Sequence, residues 1–145
     1  MQSAVTDGLM TVGELSRRTG LSVKAIRRYE ALGLIYSAGR SDGNYRLFDD
    51  SALWCAEVIE TLRSFGLTIK EIDRLARAYL SGPGESMGPL LAAALDAAER
   101  RTEDRIAELA AVRGRIRRYR AQNVAALAGR REGDLFGSDP RRPVA

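Results

Sequence analysis

Guanidinium dominates the chemistry available to this chain. Of 23 basic residues only Lys24 and Lys70 are lysines, so 23 − 2 leaves 21 arginines. Planar guanidinium forks suit phosphates and the edges of nucleic-acid bases. The arginines fall in groups: Arg27 and Arg28 side by side, Arg40 and Arg46 flanking a Gly/Asp/Asn stretch, and a run from Arg113 to Arg120. Other chemistries are excluded by what is missing. With no histidine and one cysteine, Cys55, the chain cannot build a His-based triad, a Cys/His zinc site, an iron–sulfur cluster or an internal disulfide. No nucleophile has a base, no carboxylate pair has a pocket and no phosphate loop exists, so an enzyme is the least favoured class, and neither cofactor nor metal is expected. Cys55, next to Trp54 in a patterned helix and without a second ligand, is expected in the core.

These residues need elements to hold them. The chain has 145 residues, 45% apolar and 29% charged, with a net charge of +4, which closes a modest core and is too polar for a membrane protein. No apolar run approaches the roughly 18 residues of a membrane span, and Met1 to Leu9 lacks the basic and apolar regions of a signal peptide. A reducing cytoplasm is the expected compartment.

Capping residues mark the helix starts. Thr11-Val12-Gly13-Glu14 has the form of a capping box and predicts a short helix through Arg18. Gly20 allows a positive φ, Leu21 is an apolar turn residue, and Ser22 caps a second helix from Val23 to about Leu32. Two short helices across so tight a turn suggest a helix-turn-helix. Leu34-Ile35-Tyr36 and Tyr45-Arg46-Leu47-Phe48 are β-prone around Gly39, Asp42-Gly43 and Asn44, which predicts a two-stranded wing. Asp49 or Asp50 caps a third helix with Leu53, Ala56, Ile59 and Leu62 at helical spacing. A second box at Thr68-Ile69-Lys70-Glu71 starts a fourth, carrying Ile72, Leu75 and Tyr79.

After the breaker Ser81-Gly82-Pro83-Gly84 the period changes. From about Pro89, the residues Leu91, Leu95, Ala98, Thr102, Arg105, Leu109, Val112, Ile116, Tyr119, Asn123 and Ala126 alternate by four and three over roughly five heptads. A stripe this narrow cannot bury itself, and the cheapest partner is the same helix of a second copy, so a homodimer is expected. Arg105 on the stripe with Ile106 beside it predicts a register shift there, and Asn123 is a polar seam residue of the kind that fixes register. The run Arg113 to Arg120 reads as the charged outer face of that coiled coil. The expected fold class is mainly α: a flexible N-terminus (1–9), a winged helix-turn-helix (10–80), a hinge (81–88), a long coiled-coil dimerisation helix (89–128) and a disordered or loosely docked tail (129–145), which could cover a ligand pocket.

Thr11-Val12-Gly13-Glu14-Leu15, Leu21 to Ile35 with its Arg27-Arg28-Tyr29-Glu30, then Arg40, Gly43 to Phe48, and Leu62 to Ile72 together resemble the mercury-resistance regulator (MerR) family of bacterial transcription factors. The match covers about half the chain in order and spacing, and the long helix behind it is similar to the family's antiparallel dimerisation helix. The resemblance implies that Val23 to Glu30 enters the major groove of double-stranded promoter DNA, with Ser22, Lys24, Arg27 and Arg28 facing the duplex and Tyr29 at the helix base near the backbone, where Tyr29, like Tyr45 of the wing, either directs its hydroxyl to a phosphate or packs in the core. It places Arg40, Tyr45 and Arg46 of the wing against phosphates. The dimer seam would hold Leu91, Leu95, Ala98, Leu109, Val112, Ile116 and Tyr119. Two departures stand out: Arg28 where members carry an aromatic, and Asn44 where they carry a glycine, with Gly43 one position earlier to supply flexibility.

The resemblance also implies a mechanism: a dimer clamps two half-sites, bends the duplex and undertwists its centre, so that promoter elements come into phase for RNA polymerase. Soft-metal sensing in the family uses cysteines at both ends of the dimerisation helix, and none stand near Met87 or after Ala128. An effector signal would therefore act at the hinge, the coiled coil or the tail. The competing readings are an effector-independent repressor or architectural DNA-binding protein, and a coiled-coil module that binds protein.

Overall fold

Thr11, Ser22, Asp49 and Thr68 start four helices, each through a side-chain oxygen that accepts the amide three residues on, at 3.3, 3.0, 3.0 and 3.2 Å. These caps define α1 (Val12–Thr19), α2 (Val23–Ala31), α3 (Asp50–Ser64) and α4 (Ile69–Leu80) in the computed structural model, which describes residues 8–82, 87–130, 135–137 and 140–141. At Thr68 the reciprocal box closes, the Thr68 amide donating to Glu71 Oε2 at 2.8 Å. At Thr11 the box expected from the sequence gives way to another pairing, because Glu14 turns to Arg18 one helical turn on, at 3.0 Å.

The turn between α1 and α2 is tied from both sides. Gly20 takes a φ of +76° and donates to the Ser16 carbonyl at 2.9 Å, while the Ser16 hydroxyl donates to Leu21 O at 2.6 Å. Leu21 is buried beneath it. Helices α2 and α3 end alike, in the Schellman arrangement that a left-handed residue after the C-cap permits. Gly33 donates to Glu30 O and Leu34 to Tyr29 O; Gly66 donates to Arg63 O and Leu67 to Leu62 O. In each case the residue after the glycine, Leu34 or Leu67, is driven into the core. This corrects the predicted strand at Leu34-Ile35-Tyr36: the amides of Leu34 and Ile35 serve the end of α2, and their side chains are core.

The wing starts later. It comprises β2 (Gly39–Arg40) and β3 (Arg46–Phe48), paired antiparallel with Arg40 opposite Arg46. A third strand that the sequence did not announce, β1 (Met10–Thr11), pairs with β3 on its other side, so the sheet order is β1-β3-β2. The wing loop is a type of three-residue hairpin that needs a left-handed residue at its end. Asn44 supplies it at φ +64°, not Gly43. Gly43 has a different task, since a Cβ there would meet the Tyr45 ring at 3.1 Å.

The chain falls into two units, residues 1–99 and 100–145. In the first, Leu15, Ile26, Ile35, Phe48 and Leu67 are fully buried, each contributing about 1.5–3 kcal/mol by burial. Ala52, Ala56 and Ile59 of α3 and Ile72, Leu75 and Ala78 of α4 join them. Leu53 and Leu62 are partly buried against this cluster, but Tyr79, expected on the buried face, is 60% exposed and lies 6.2 Å from the exposed ring of Trp54. Cys55 is packed against the core, and burial, then the nearby Asp49 carboxylate, push its thiol above the usual value.

Helix α5 (Met87–Gln122) is one continuous helix of 36 residues, starting two residues before the predicted onset and ending before the predicted end. Its first turns close the core: Ala94 and Ala98 are buried, and Leu90 and Leu91 are partly so. In the second unit Ile106, Leu109, Val112 and Ile116 are exposed. Asn123 stops the helix at φ −122°, its side-chain amide donating to Tyr119 O at 2.8 Å, so the proposed seam residue is instead a helix stop; α6 (Val124–Leu127) follows. Tyr119 stacks on Phe136 with ring centroids 6.2 Å apart, and its hydroxyl donates to the Leu135 carbonyl. That part of the tail is therefore tied to α5 through Tyr119, while Phe136 itself stays 94% exposed. The predicted flexible start through residue 7, the breaker residues Pro83 and Gly84, and most of the tail lie outside the described residues.

Candidate nucleic-acid interface

Helical geometry sorts α2 into two faces. Ile26 and Tyr29 point into the core, while Lys24, Arg27 and Arg28, at spacings of three and four, share the exposed face. Ser22 is exposed at the helix start, with its hydroxyl engaged by the Ala25 amide. Of the two alternatives for Tyr29 the fold takes core packing: it is 7% exposed, and its ring belongs to the hydrophobic cluster. The reason is its place one turn after Ile26 on the inward side, where the aromatic body contributes burial.

The wing brings its own cations to the same side. Arg40, Tyr45 and Arg46 are exposed. Arg40 Nη1 donates to the backbone carbonyl of Asn44 at 3.3 Å and to its Oδ1 at 3.2 Å, which holds the guanidinium over the wing tip. Ser41 pairs with Tyr45 through its amide at 2.8 Å and accepts the Tyr45 amide on its hydroxyl at 3.1 Å, closing the loop. Arg27 from α2 and Arg40 and Arg46 from the wing line one cleft of about 420 Å³, together with Glu30, Asn44 and Tyr45. Helix and wing thus present three guanidinium groups to a common space. Arg28 and Lys24 extend the charge along α2. Such a surface displaces condensed counterions from a nucleic-acid backbone, and side chains on a groove-entering helix reach base edges.

Two residues of this site were missed by reasoning from residue types. Glu30, the acid on an otherwise basic helix, forms an ion pair with Arg46 across the cleft. Asn44 supplies both the left-handed turn and the acceptors for Arg40. The signal for Glu30 was its spacing of three from Arg27, which places it at the edge of the same face; its partner sixteen residues on was not readable. Among the described residues, no group of three or more His, Cys, Asp or Glu is placed to hold a metal ion, and no helix is long and apolar enough to cross a membrane.

Comparisons with known proteins converge on one family. Residues 10–79 match the model of the MerR HTH family regulatory protein. Over 93 residues the chain is 32% identical to the HTH-type transcriptional regulator MerD of Acinetobacter calcoaceticus, covering 64% of this chain and 77% of that protein. It is 35% identical over 66 residues to the Heavy metal-dependent transcription regulator 2 of Rhizobium meliloti (strain 1021), covering 46% of this chain and 45% of the relative. Among solved structures, the transcription regulator PbrR691 from Ralstonia metallidurans CH34, in complex with lead(II), matches with a TM-score of 0.62 and 29% identity over 77% of this chain and 85% of that one. The chain spans less than half the length of the first curated relatives it matches. The winged helix-turn-helix, the long helix behind it and these matches agree: the chain belongs to the MerR family of transcriptional regulators.

Proposed function

We propose that this chain is a DNA-binding transcriptional regulator that works as a homodimer, binds a pseudo-palindromic promoter site, and acts by bending and undertwisting the duplex for RNA polymerase. The observation that carries the reading is the convergence of Arg27, Arg40 and Arg46 on one cleft, with Lys24 and Arg28 continuing the exposed face of α2. Phosphate contacts from the wing would set the register, and Arg27 and Arg28 would read base edges. Deforming the duplex costs on the order of 1 to 6 kcal/mol, a scale that a change in dimer geometry can tip.

The dimer is supported by the apolar stripe of α5. Leu109, Val112 and Ile116 are exposed on a helix with one charged composition before them and another after. On the N-terminal side the acids Asp96, Glu99, Glu103, Asp104 and Glu108 outnumber Arg100, Arg101 and Arg105, whereas Arg113, Arg115, Arg117, Arg118 and Arg120 follow on the C-terminal side with no acid among them. Antiparallel pairing of two copies would set acids beside arginines, and parallel pairing would set like beside like. The seam then consists of Leu95, Leu109, Val112 and Ile116, flanked by Leu91 and Tyr119. Ala98, 3% exposed, already serves the chain's own core. Thiolate ligands select soft metals, and this chain offers one cysteine, Cys55, packed against the domain core.

Nuclease footprinting on the DNA flanking its own coding region tests the reading. A discrete protected site with hypersensitive cleavage at its centre is expected. A smooth footprint would favour an architectural role, and no footprint at low ionic strength would favour a protein-binding module.

A further inference from the structure

Glu30 is a liability on a surface meant for DNA. Its carboxylate lies in the cleft lined by Arg27, Arg40 and Arg46, where a negative charge repels phosphate. Yet its side chain is only 12% exposed, and Arg46, 51% exposed, pairs with it through Nη1. Its other oxygen, Oε2, is buried without a hydrogen-bond partner among the described residues. A carboxylate this buried, with one oxygen unpartnered, has the Arg46 guanidinium as its anchor, and a guanidinium bound through one arm keeps its remaining N–H donors for a second acceptor in the same plane.

We propose that Glu30 is a positioning residue: it fixes the Arg46 guanidinium, and with it the wing, against the C-terminal turn of α2, so that the free arm of Arg46 meets a backbone phosphate. The inference rests on the DNA-binding reading above and goes beyond it by assigning a role to an acid that charge alone would mark as unfavourable. Arg46 is the central link. It stands opposite Arg40 in the wing ladder, begins β3, and is joined through Glu30 to the helix that carries Arg27. Two like charges facing each other across a strand pair repel, so the Glu30 carboxylate also offsets the Arg40–Arg46 repulsion.

The sign of the Glu30→Gln effect decides the matter. If the carboxylate merely repels DNA, removing its charge strengthens binding. If it positions Arg46, removing the charge weakens binding. The full chain and the variants E30Q, R46A, R46K and E30Q/R46A are titrated on a duplex fragment flanking the coding region and on random duplex, across a salt series, with thermal melts to check folding. R46A is expected to lower the salt slope by about one unit. E30Q is expected to weaken binding about tenfold and to lower the slope in the same direction, with the double variant no weaker than R46A. R46K, which keeps the charge and loses the fork, is expected to behave like R46A. E30Q binding as tightly as the wild type or more tightly, additive losses in the double variant, or R46K binding like the wild type would each overturn the proposal. If E30Q fails to fold, E30D, which keeps the charge but draws the carboxylate back by one methylene, takes its place: weaker binding than the wild type is expected, and binding as tight as the wild type overturns the proposal. A wild-type chain indifferent to both duplexes removes the DNA-binding reading itself, a result distinct from any of these.

Discussion

At the scale of single residues, the arginines divide by what they can reach. Arg46→Ala should weaken binding to all duplexes alike, whereas Arg27→Ala should cost about 1–3 kcal/mol on the specific site and relax site choice. Competition titrations with specific and random duplex check this, and equal losses on both for Arg27→Ala would contradict its role in base reading. Cys55 gives a prediction with a pH sign. Burial, then Asp49, raise its thiol, so the reactive thiolate forms only at higher pH. Alkylation of the folded chain should be slower than that of the urea-unfolded chain near pH 8.5, and the gap should narrow as pH rises through the folded value. The basic residues of the candidate interface were legible as an exposed set because their type and helical spacing are local facts. The roles of Glu30 and Asn44 were not, because they depend on which side chain lies opposite. Tyr29 was legible only as an alternative, since one tyrosine suits a phosphate or a core equally well until the helix face is known.

At the scale of elements, most starts and stops could be read and some strands could not. Thr11, Ser22 and Thr68 cap the helices predicted from them, and of the pair Asp49 and Asp50 it is Asp49 that caps α3. The strands failed where a competing local motif won: Leu34 and Ile35 are β-prone, but the Gly33 turn commits their amides to the end of α2. Strand β1 is two residues long and pairs with residues 47 and 48, a separation no local pattern encodes. The closed box at Thr68 and the open one at Thr11 yield a comparison. Thr68→Ala should destabilise the domain by about 1–2 kcal/mol and Thr11→Ala by about 0.5–1 kcal/mol, measured by urea denaturation. A larger loss at Thr11 would contradict the assignment of the reciprocal box to α4. Gly66→Ala, at φ +85°, should cost about 1 kcal/mol without any clash, since no atom lies within 4 Å of the added Cβ.

At the scale of the whole molecule, the proposed second copy is the decisive element. Leu109→Arg or Ile116→Asp should yield monomers in sedimentation equilibrium while the far-ultraviolet spectrum stays helical, and an intact dimer would refute the seam. The long helix was legible from the sequence, but not the change of duty along it. A small residue such as Ala98 fits a seam or a core equally, and only the fold shows that the chain's own helices cover it. The break at Asn123 was misread for a similar reason: its amide binds the preceding turn of its own helix. The order β1-β3-β2 has a consequence of its own. With Met10 and Thr11 zipped along one side of β3 and β2 along the other, no bare rim remains on the middle ribbon. A chain shortened to begin at Val12 would strip one flank and leave an open template for stray molecules to latch onto, inviting insoluble clumping before any regulatory property was lost.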